Sequence, residues 1–292
     1  MTSPQFRIIA DTLYRRDENP YAFDFKIHDL GRGLVEAVSM PRHAWREVGA
    51  CTAQALDDAR AAAGHIRVDG EWVPHQLSRQ ELLDRAAMNR ERSARRARTQ
   101  VRRLVKAMHL DTMLTLTYRE NMVDRGRMAR DLDVFIKRVR RALPSFQYVC
   151  VFERQKRGAW HAHLAVQRVQ SHYMHKGVLV KSYDLLRAIW RAVVGDGNID
   201  ISRAARKRQR DVGKLSQYLS KYIAKGFEEG QEGDSYRASG KALPKPVVIR
   251  SLSTEPAAAA AELYTLLRSF WPGARFHSAL LDGGGYFVAL SP

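Results

Sequence analysis

The amino-acid sequence predicts an α+β fold, a sheet flanked by helices with a basic helical extension before it. Three observations carry that expectation. A run with the character of a buried strand, Met113–Tyr118, is followed by an amphipathic helix marked by Met128, Leu132, Phe135, Ile136, Val139 and Leu143. Two strand-like segments, Phe146–Glu153 and Ala159–Val166, flank a turn at Arg154–Gly158, as a hairpin requires. A second amphipathic helix and a short alternating strand follow.

The elements can be justified in order. Residues 1–77 are the least legible part. Phe6–Ile9 reads as a strand, and His65–Val73 reads as a hairpin around Asp69-Gly70. Ser78-Arg-Gln-Glu81 is a capping box that opens a helix to about Met108, with no Gly or Pro inside it. Beyond the hairpin, Ser182 is expected to cap a helix carrying Leu185, Leu186, Ile189, Trp190 and Val193. Gly197–Ser202 alternates as a strand. A basic loop from Arg203 to Arg210 leads to a helix from about Val212 to Lys225. Gly226–Gly240 reads as a mobile loop, and Val247–Ile249 as a last strand. A helix near Ala258–Phe270 and a hairpin around Asp282–Gly285 complete the tail. Four regions result: 1–77, without an assigned role; 78–110, the basic helix; 111–250, the α+β domain; and 251–292, the C-terminal helix and hairpin.

The chain carries 49 Lys and Arg against 31 Asp and Glu, a formal net charge of +18 over 292 residues. A polyanionic partner is expected, nucleic acid first. No lipidation signal, signal peptide or hydrophobic span supports a membrane. Cys51 and Cys150 form no CxxC, which excludes a cysteine-built zinc ribbon or a disulfide framework and fits a reducing cytoplasm. Along the basic helix, Arg92, Arg95, Arg96, Arg102, Arg103 and Lys106 make a stripe of one sign. It reads as a phosphate-binding ridge; the alternative is a solvated charged face. Arg203, Arg206, Lys207 and Arg208 extend the basic surface.

The chemistry lies in two segments. On a strand, alternate residues share a face, so His161 and His163 point together while Trp160, Ala162, Leu164 and Val166 point to a core. On the preceding strand, Val149, Val151 and Glu153 oppose Phe146, Tyr148, Cys150 and Phe152. Pairing of the two strands would bring Glu153 beside both histidines. Two imidazoles and one carboxylate leave open positions on a divalent metal, as a catalytic site needs. A lone His-x-His pair is usually an ordinary strand feature. His172 and His175, an alternative zinc pair, have no cysteine partners.

Tyr218, Lys221, Tyr222 and Lys225 fall at i, i+3, i+4 and i+7, one stripe of a helix. Leu215, Leu219 and Ile223 form the adjacent apolar stripe. Tyrosine has a pKa near ~10 and is a poor nucleophile at neutral pH. A nearby ammonium can stabilise developing phenolate or phosphorane charge. The plain alternative is that both tyrosines edge the core.

With these motifs the chain resembles the rolling-circle replication initiators of the HUH endonuclease superfamily, in the two-tyrosine form of filamentous and other small single-stranded DNA phages. The resemblance covers roughly Thr112–Lys225. Leu114-Thr-Leu-Thr-Tyr118 is similar to the first motif, His161-Ala-His163 to the His-hydrophobic-His motif, and Tyr218-x-x-Lys221 with Tyr222-x-x-Lys225 to the tyrosine motif. Glu153 matches the upstream acidic ligand.

The resemblance implies a five-stranded, ferredoxin/RRM-like antiparallel sheet. It implies Mg²⁺ or Mn²⁺ held by Glu153, His161 and His163, with Tyr218 and Tyr222 as nucleophiles assisted by Lys221 and Lys225. The expected activity is that of a metal-dependent, site-specific DNA endonuclease and strand transferase. It would nick and rejoin single-stranded or supercoiled origin DNA in the bacterial host cytoplasm, through a 5′-phosphotyrosine. No Gly-x-x-x-x-Gly-Lys-Ser/Thr loop is present, so a host helicase and polymerase are the expected partners. An HUH-type transposase and a non-catalytic basic single-stranded DNA-binding protein are the alternatives.

Overall fold

A computed structural model describes residues 6–9, 12–48, 53–62, 64–203, 212–228, 236–240 and 243–292. The protein is mixed α and β, with antiparallel sheets and, among the described residues, six helices. Two compact units divide the chain: Met1–Leu83 with Pro244–Pro292, and Asp84–Leu243.

The chain begins in the first unit with β1 (Phe6–Ile9), β2 (Thr12–Arg16), β3 (Ala22–Asp29), β4 (Val35–Arg42) and β5 (Trp45–Glu47). Helix α1 (Ala53–Ala62) and the hairpin β6 (His65–Val68) and β7 (Glu71–Pro74) follow. The β6–β7 turn sits on Asp69 and Gly70, both at positive φ, the two-residue geometry that closes a hairpin.

Helix α2 (Arg79–Ala107) opens with the expected reciprocal cap. The Ser78 backbone N–H donates to Glu81 Oε2 at 2.8 Å, and the Glu81 N–H donates to Ser78 Oγ at 3.2 Å.

The second unit continues through β8 (Thr112–Tyr118), α3 (Arg125–Ala142), β9 (Tyr148–Arg154), β10 (Trp160–Val166), β11 (His172–His175), β12 (Val178–Lys181), α4 (Ser182–Val194), β13 (Gly197–Arg203), α5 (Val212–Glu228) and β14 (Tyr236–Ala238). The chain then returns to the first unit as β15 (Val247–Ser251), α6 (Pro256–Phe270), β16 (Arg275–Leu281) and β17 (Gly285–Ser291).

In the first unit a five-stranded antiparallel sheet runs β15-β3-β4-β17-β16. Phe23, Phe25, Ile27, Val35, Ala37, Val288 and Leu290 pack with Ala259, Leu263 and Leu267 of α6. The segments before residue 78 and after residue 250 therefore share one sheet. Val247–Ser251, read as the last strand of the central domain, pairs with Phe23–Ile27 instead.

In the second unit the sheet runs β13-β8-β10-β9-β14, every pairing antiparallel. Its two faces separate by residue parity. Leu114, Leu116, Cys150, Phe152, Ala162 and Leu164 pack under α3 and α4 with Leu132, Phe135, Leu186 and Trp190. Val149, Val151 and Ala165 face the opposite way, under Val101, Leu104 and Val105 of α2 and Leu215, Leu219 and Ile223 of α5. The basic helix thus helps to close a core. Gly197 is needed where it stands: a Cβ there would meet the Trp190 ring at 2.7 Å and Thr117 O at 2.9 Å.

Two local expectations are corrected. Ser182 does not cap α4. Lys181 holds the cap position without a side-chain bond, and the Ser182 hydroxyl donates to the Gln170 carbonyl. The stretch Gly226–Gly240 is not simply a loop, because Tyr236–Ala238 pairs with Val149–Val151 as the edge strand. Three residues between turn-forming neighbours carry too little periodicity to announce a strand.

Candidate active site

The site occupies the polar end of the α2/α5-covered face. Along β10 every residue is buried, including His161 and His163. His161 stands directly opposite Glu153 on β9, and His163 stands opposite Val151 on β9 and Thr115 on β8. The strand register therefore brings the three predicted donors together.

Their hydrogen bonds differ. His163 Nε2 lies 2.8 Å from Glu153 Oε2, and its Nδ1 lies 3.1 Å from Thr115 Oγ1. As a donor to Glu153, Nε2 carries the proton and Nδ1 accepts from the Thr115 hydroxyl. In the other neutral tautomer the proton sits on Nδ1, which donates to Thr115 Oγ1, and Nε2 presents its lone pair toward Glu153. His161 Nδ1 lies 3.2 Å from the Gln155 side-chain amide, and its Nε2 is buried without a hydrogen-bond partner among the described residues. Burial pulls the His161 pKa below its ordinary value, the neighbouring His163 lowers it further, and Glu153 opposes the shift. Neutral imidazole is the metal-binding form.

The fit to a divalent ion can be judged from these atoms. Two donors about 2.1 Å from one octahedral ion and at right angles lie about 3 Å apart. The His163–Glu153 separation of 2.8 Å meets that requirement. The unsatisfied His161 Nε2 supplies a third donor. The three do not yet converge: among the described residues no group of three or more His, Cys, Asp or Glu side chains is placed to hold a metal ion. The donor types suit a divalent ion, but as placed they do not close around one.

Helix α5 supplies the tyrosines. Leu215, Leu219 and Ile223 are buried and fix which side of the helix meets the sheet. The Tyr222 ring stacks on His163 at 4.4 Å between centroids, 12° from parallel. Tyr218 meets Tyr222 edge-on at 5.0 Å, and the Tyr222 hydroxyl donates to the Tyr218 hydroxyl. Tyr218 is 42% exposed, whereas Tyr222 is half-buried against the α2/α5 core. Burial raises the Tyr222 pKa, and its bond to Tyr218 and the Glu153 charge raise it further. Lys221 is exposed beside them.

The remaining expected residues are dispersed. Arg92, Arg95 and Arg96 are exposed on α2, with Arg95 bound to Glu91 at 2.6 Å. Arg102, Arg103 and Lys106 are half-buried on the same helix. Arg206, Lys207 and Arg208 lie outside the described residues, as do the side chains of Arg203 and Lys225. His172 and His175 sit three apart on β11 and so face opposite ways.

Sequence reasoning missed Thr115 and Gln155, which orient the two rings. Thr115 lies inside the first motif and becomes visible once β8 is registered against β10.

Fold and site together describe a mixed α and β protein with buried histidines, a carboxylate and two tyrosines at one end of a sheet face. Residues 111–227, less than half of the chain, match the Replication-associated protein ORF2 family, a similarity that supports a replication initiator. The match spans β8 to α5, the segment that holds the site. No curated protein and no solved structure matches the chain. Among the described residues no helix is long and apolar enough to cross a membrane.

Proposed function

We propose that this protein starts and ends rolling-circle replication by nicking and rejoining single-stranded origin DNA through a 5′-phosphotyrosine. The observation that carries the reading is the stack of Tyr222 on His163, whose Nε2 meets Glu153. It puts both tyrosine hydroxyls beside the donor set. The family match and the charge of +18 support replication-associated DNA as the substrate. The ferredoxin/RRM-like description of the second unit's sheet and the HUH assignment belong to the same proposal.

In this reading a tyrosine oxygen attacks the scissile phosphorus. A P–O(Tyr) bond forms, the bond to the 3′ oxygen breaks, and the phenolic proton ends on the released 3′-OH. Rejoining reverses the exchange with a 3′-OH as nucleophile. Glu153, His161 and His163 would hold Mg²⁺ or Mn²⁺, which when bound supplies positive charge at a nonbridging phosphate oxygen. Lys221 and Lys225 offer ammonium charge to the developing phenolate or phosphorane. Two tyrosines one helical turn apart allow one to keep the 5′ end while the other cuts the regenerated origin. Unwinding and synthesis fall to a host helicase and polymerase in the bacterial cytoplasm.

The test is incubation with supercoiled replicon DNA and Mn²⁺. One strand should be cut at one place, with protein retained on the 5′ end. Binding that leaves every DNA strand intact would return the protein to the non-catalytic single-strand binders.

A further inference from the structure

Between α5 and α2 lies a cleft of about 520 Å³. Its walls are Arg95, Arg98 and Arg102 from α2, with Gln217, Ser220 and Lys221 from α5. We infer that this cleft seats the sugar–phosphate backbone of the single strand adjoining the phosphate at the tyrosines. The inference rests on the proposed function for which strand is bound. The cleft itself is assigned by its chemistry.

Four features carry it. The first is charge. Three guanidinium groups and one ammonium line a single cleft whose remaining walls, Thr99 included, are uncharged and polar. Guanidinium forks match phosphate oxygens bidentately.

The second is origin in the fold. Ala94, Ala97, Val101, Leu104 and Val105 bury one stripe of α2, so the arginines at 95, 98 and 102 flank that stripe and line the cleft with α5. They are therefore held against a packed helix pair.

The third is length. Arg95 to Arg102 spans about 10 Å of helix, room for a short run of backbone phosphates and no more.

The fourth is continuity. Lys221 lines the cleft and stands three residues after Tyr218, the spacing that makes two side chains neighbours on a helix surface. A strand with its phosphate at the tyrosine hydroxyls needs only to pass Lys221 to enter.

The lining also sets the kind of reading. Among the described residues no aromatic or aliphatic side chain lines the cleft, so these walls offer no platform for a base and no apolar pocket for an acidic peptide. It holds backbone and is indifferent to base sequence. A strand so held stays beside the tyrosines between cutting and rejoining.

The experiment separates this inference from the catalytic one. Full-length protein with Tyr218→Phe and Tyr222→Phe serves as the parent, so that binding is read without cleavage. The probe is a labelled single-stranded oligonucleotide of mixed sequence, titrated by fluorescence anisotropy over a range of salt. Arg98→Gln with Arg102→Gln should weaken binding roughly tenfold near physiological salt and flatten the log–log salt slope by about 1.4. Lys137→Gln with Arg141→Gln removes equal charge from α3, which packs on the other face of the sheet, and should do neither. Arg98→Lys with Arg102→Lys should recover most of the slope, which a folding defect would not.

Equal losses in the cleft pair and the α3 pair would overturn the inference. So would polyglutamate binding as tightly as the oligonucleotide and weakening with the same cleft substitutions. If the protein with both tyrosines never cuts DNA yet the cleft pair still loses affinity, the catalytic proposal fails and the strand seat stands.

Discussion

In the first unit, the five-stranded sheet packs its apolar core under one helix, α6; in the second, helix pairs cover both faces of a sheet with the same number of strands. Each sheet also sets a histidine opposite a glutamate. His28 faces Glu36 across β3 and β4, and His161 faces Glu153 across β10 and β9. Glu36 is fully buried and His28 is half-buried. Glu153 sits near the strand end, partly accessible, with a tyrosine stacked on the neighbouring His163 and an exposed tyrosine beyond. A histidine set opposite a glutamate on the neighbouring strand is thus common to both units. Access and a nucleophile distinguish the second.

That contrast is broken most directly by the histidines. His161→Ala with His163→Ala should reduce nicking to background while circular dichroism and DNA binding persist. Glu36→Gln should leave nicking in place. Loss of nicking in Glu36→Gln at unchanged stability would remove the distinction between the two pairs. The tyrosines sharpen it next. Tyr218 is the more accessible, so Tyr218→Phe should cost more of the first-turnover nicking of a short oligonucleotide than Tyr222→Phe. Each single variant should retain some product, and the double variant none. Equal retention in all three would make both residues packing groups.

Stability should follow the burial of each core. Leu219→Ala beneath α5 and Leu263→Ala beneath α6 each remove a fully buried side chain and should each cost about 3 kcal/mol. Urea melts read by probes within each unit check this; a loss well under 1 kcal/mol would deny that the helix closes its core. The smallest effect is at the start of α2. Ser78→Ala should cost about 1 kcal/mol of local helix stability, measured by hydrogen exchange over the first turn.

The pH dependence of that cap has a definite sign. The Glu81 carboxyl is held below its usual range, first by the Ser78 backbone N–H and then by its hydroxyl and His75. Its contribution is complete above the ordinary glutamate value near ~4.3 and is lost as pH falls through the lower folded value. Protection of the first turn that rises on acidification would contradict this cap.

Much of the second unit could be read in the sequence because its strands and helices announce themselves by parity and period. Phe152 and Glu153, or Ala162 and His163, fall on opposite faces as alternation requires, and the register confirms the pairing. In the first unit the local elements β1, β6–β7, α6 and β16–β17 were legible, but their assembly was not, for a physical reason. Its main sheet joins residues near both ends of the chain, with β3 paired to β15 and β4 to β17, and no local pattern encodes such pairings. The hairpin β11–β12 was missed because its four-residue strands are mostly exposed and too short to show a period. The site donors were legible as residue types. The side chains that orient them, Thr115 and Gln155, and the cleft residues Arg98, Gln217 and Ser220 became visible only when separate elements were brought together.

The central claim is that the tyrosine stripe of α5 attacks DNA beside the His–Glu donor set. Peptide mapping of the covalent product tests it most directly. The protein is incubated with a single-stranded origin oligonucleotide and Mn²⁺, digested, and searched for the nucleotide-bearing peptide. The account predicts adduct on Tyr218 or Tyr222, none after chelation by EDTA, and none in the Tyr218→Phe, Tyr222→Phe double variant. Adduct on any other residue, or adduct that survives the double substitution, would contradict it.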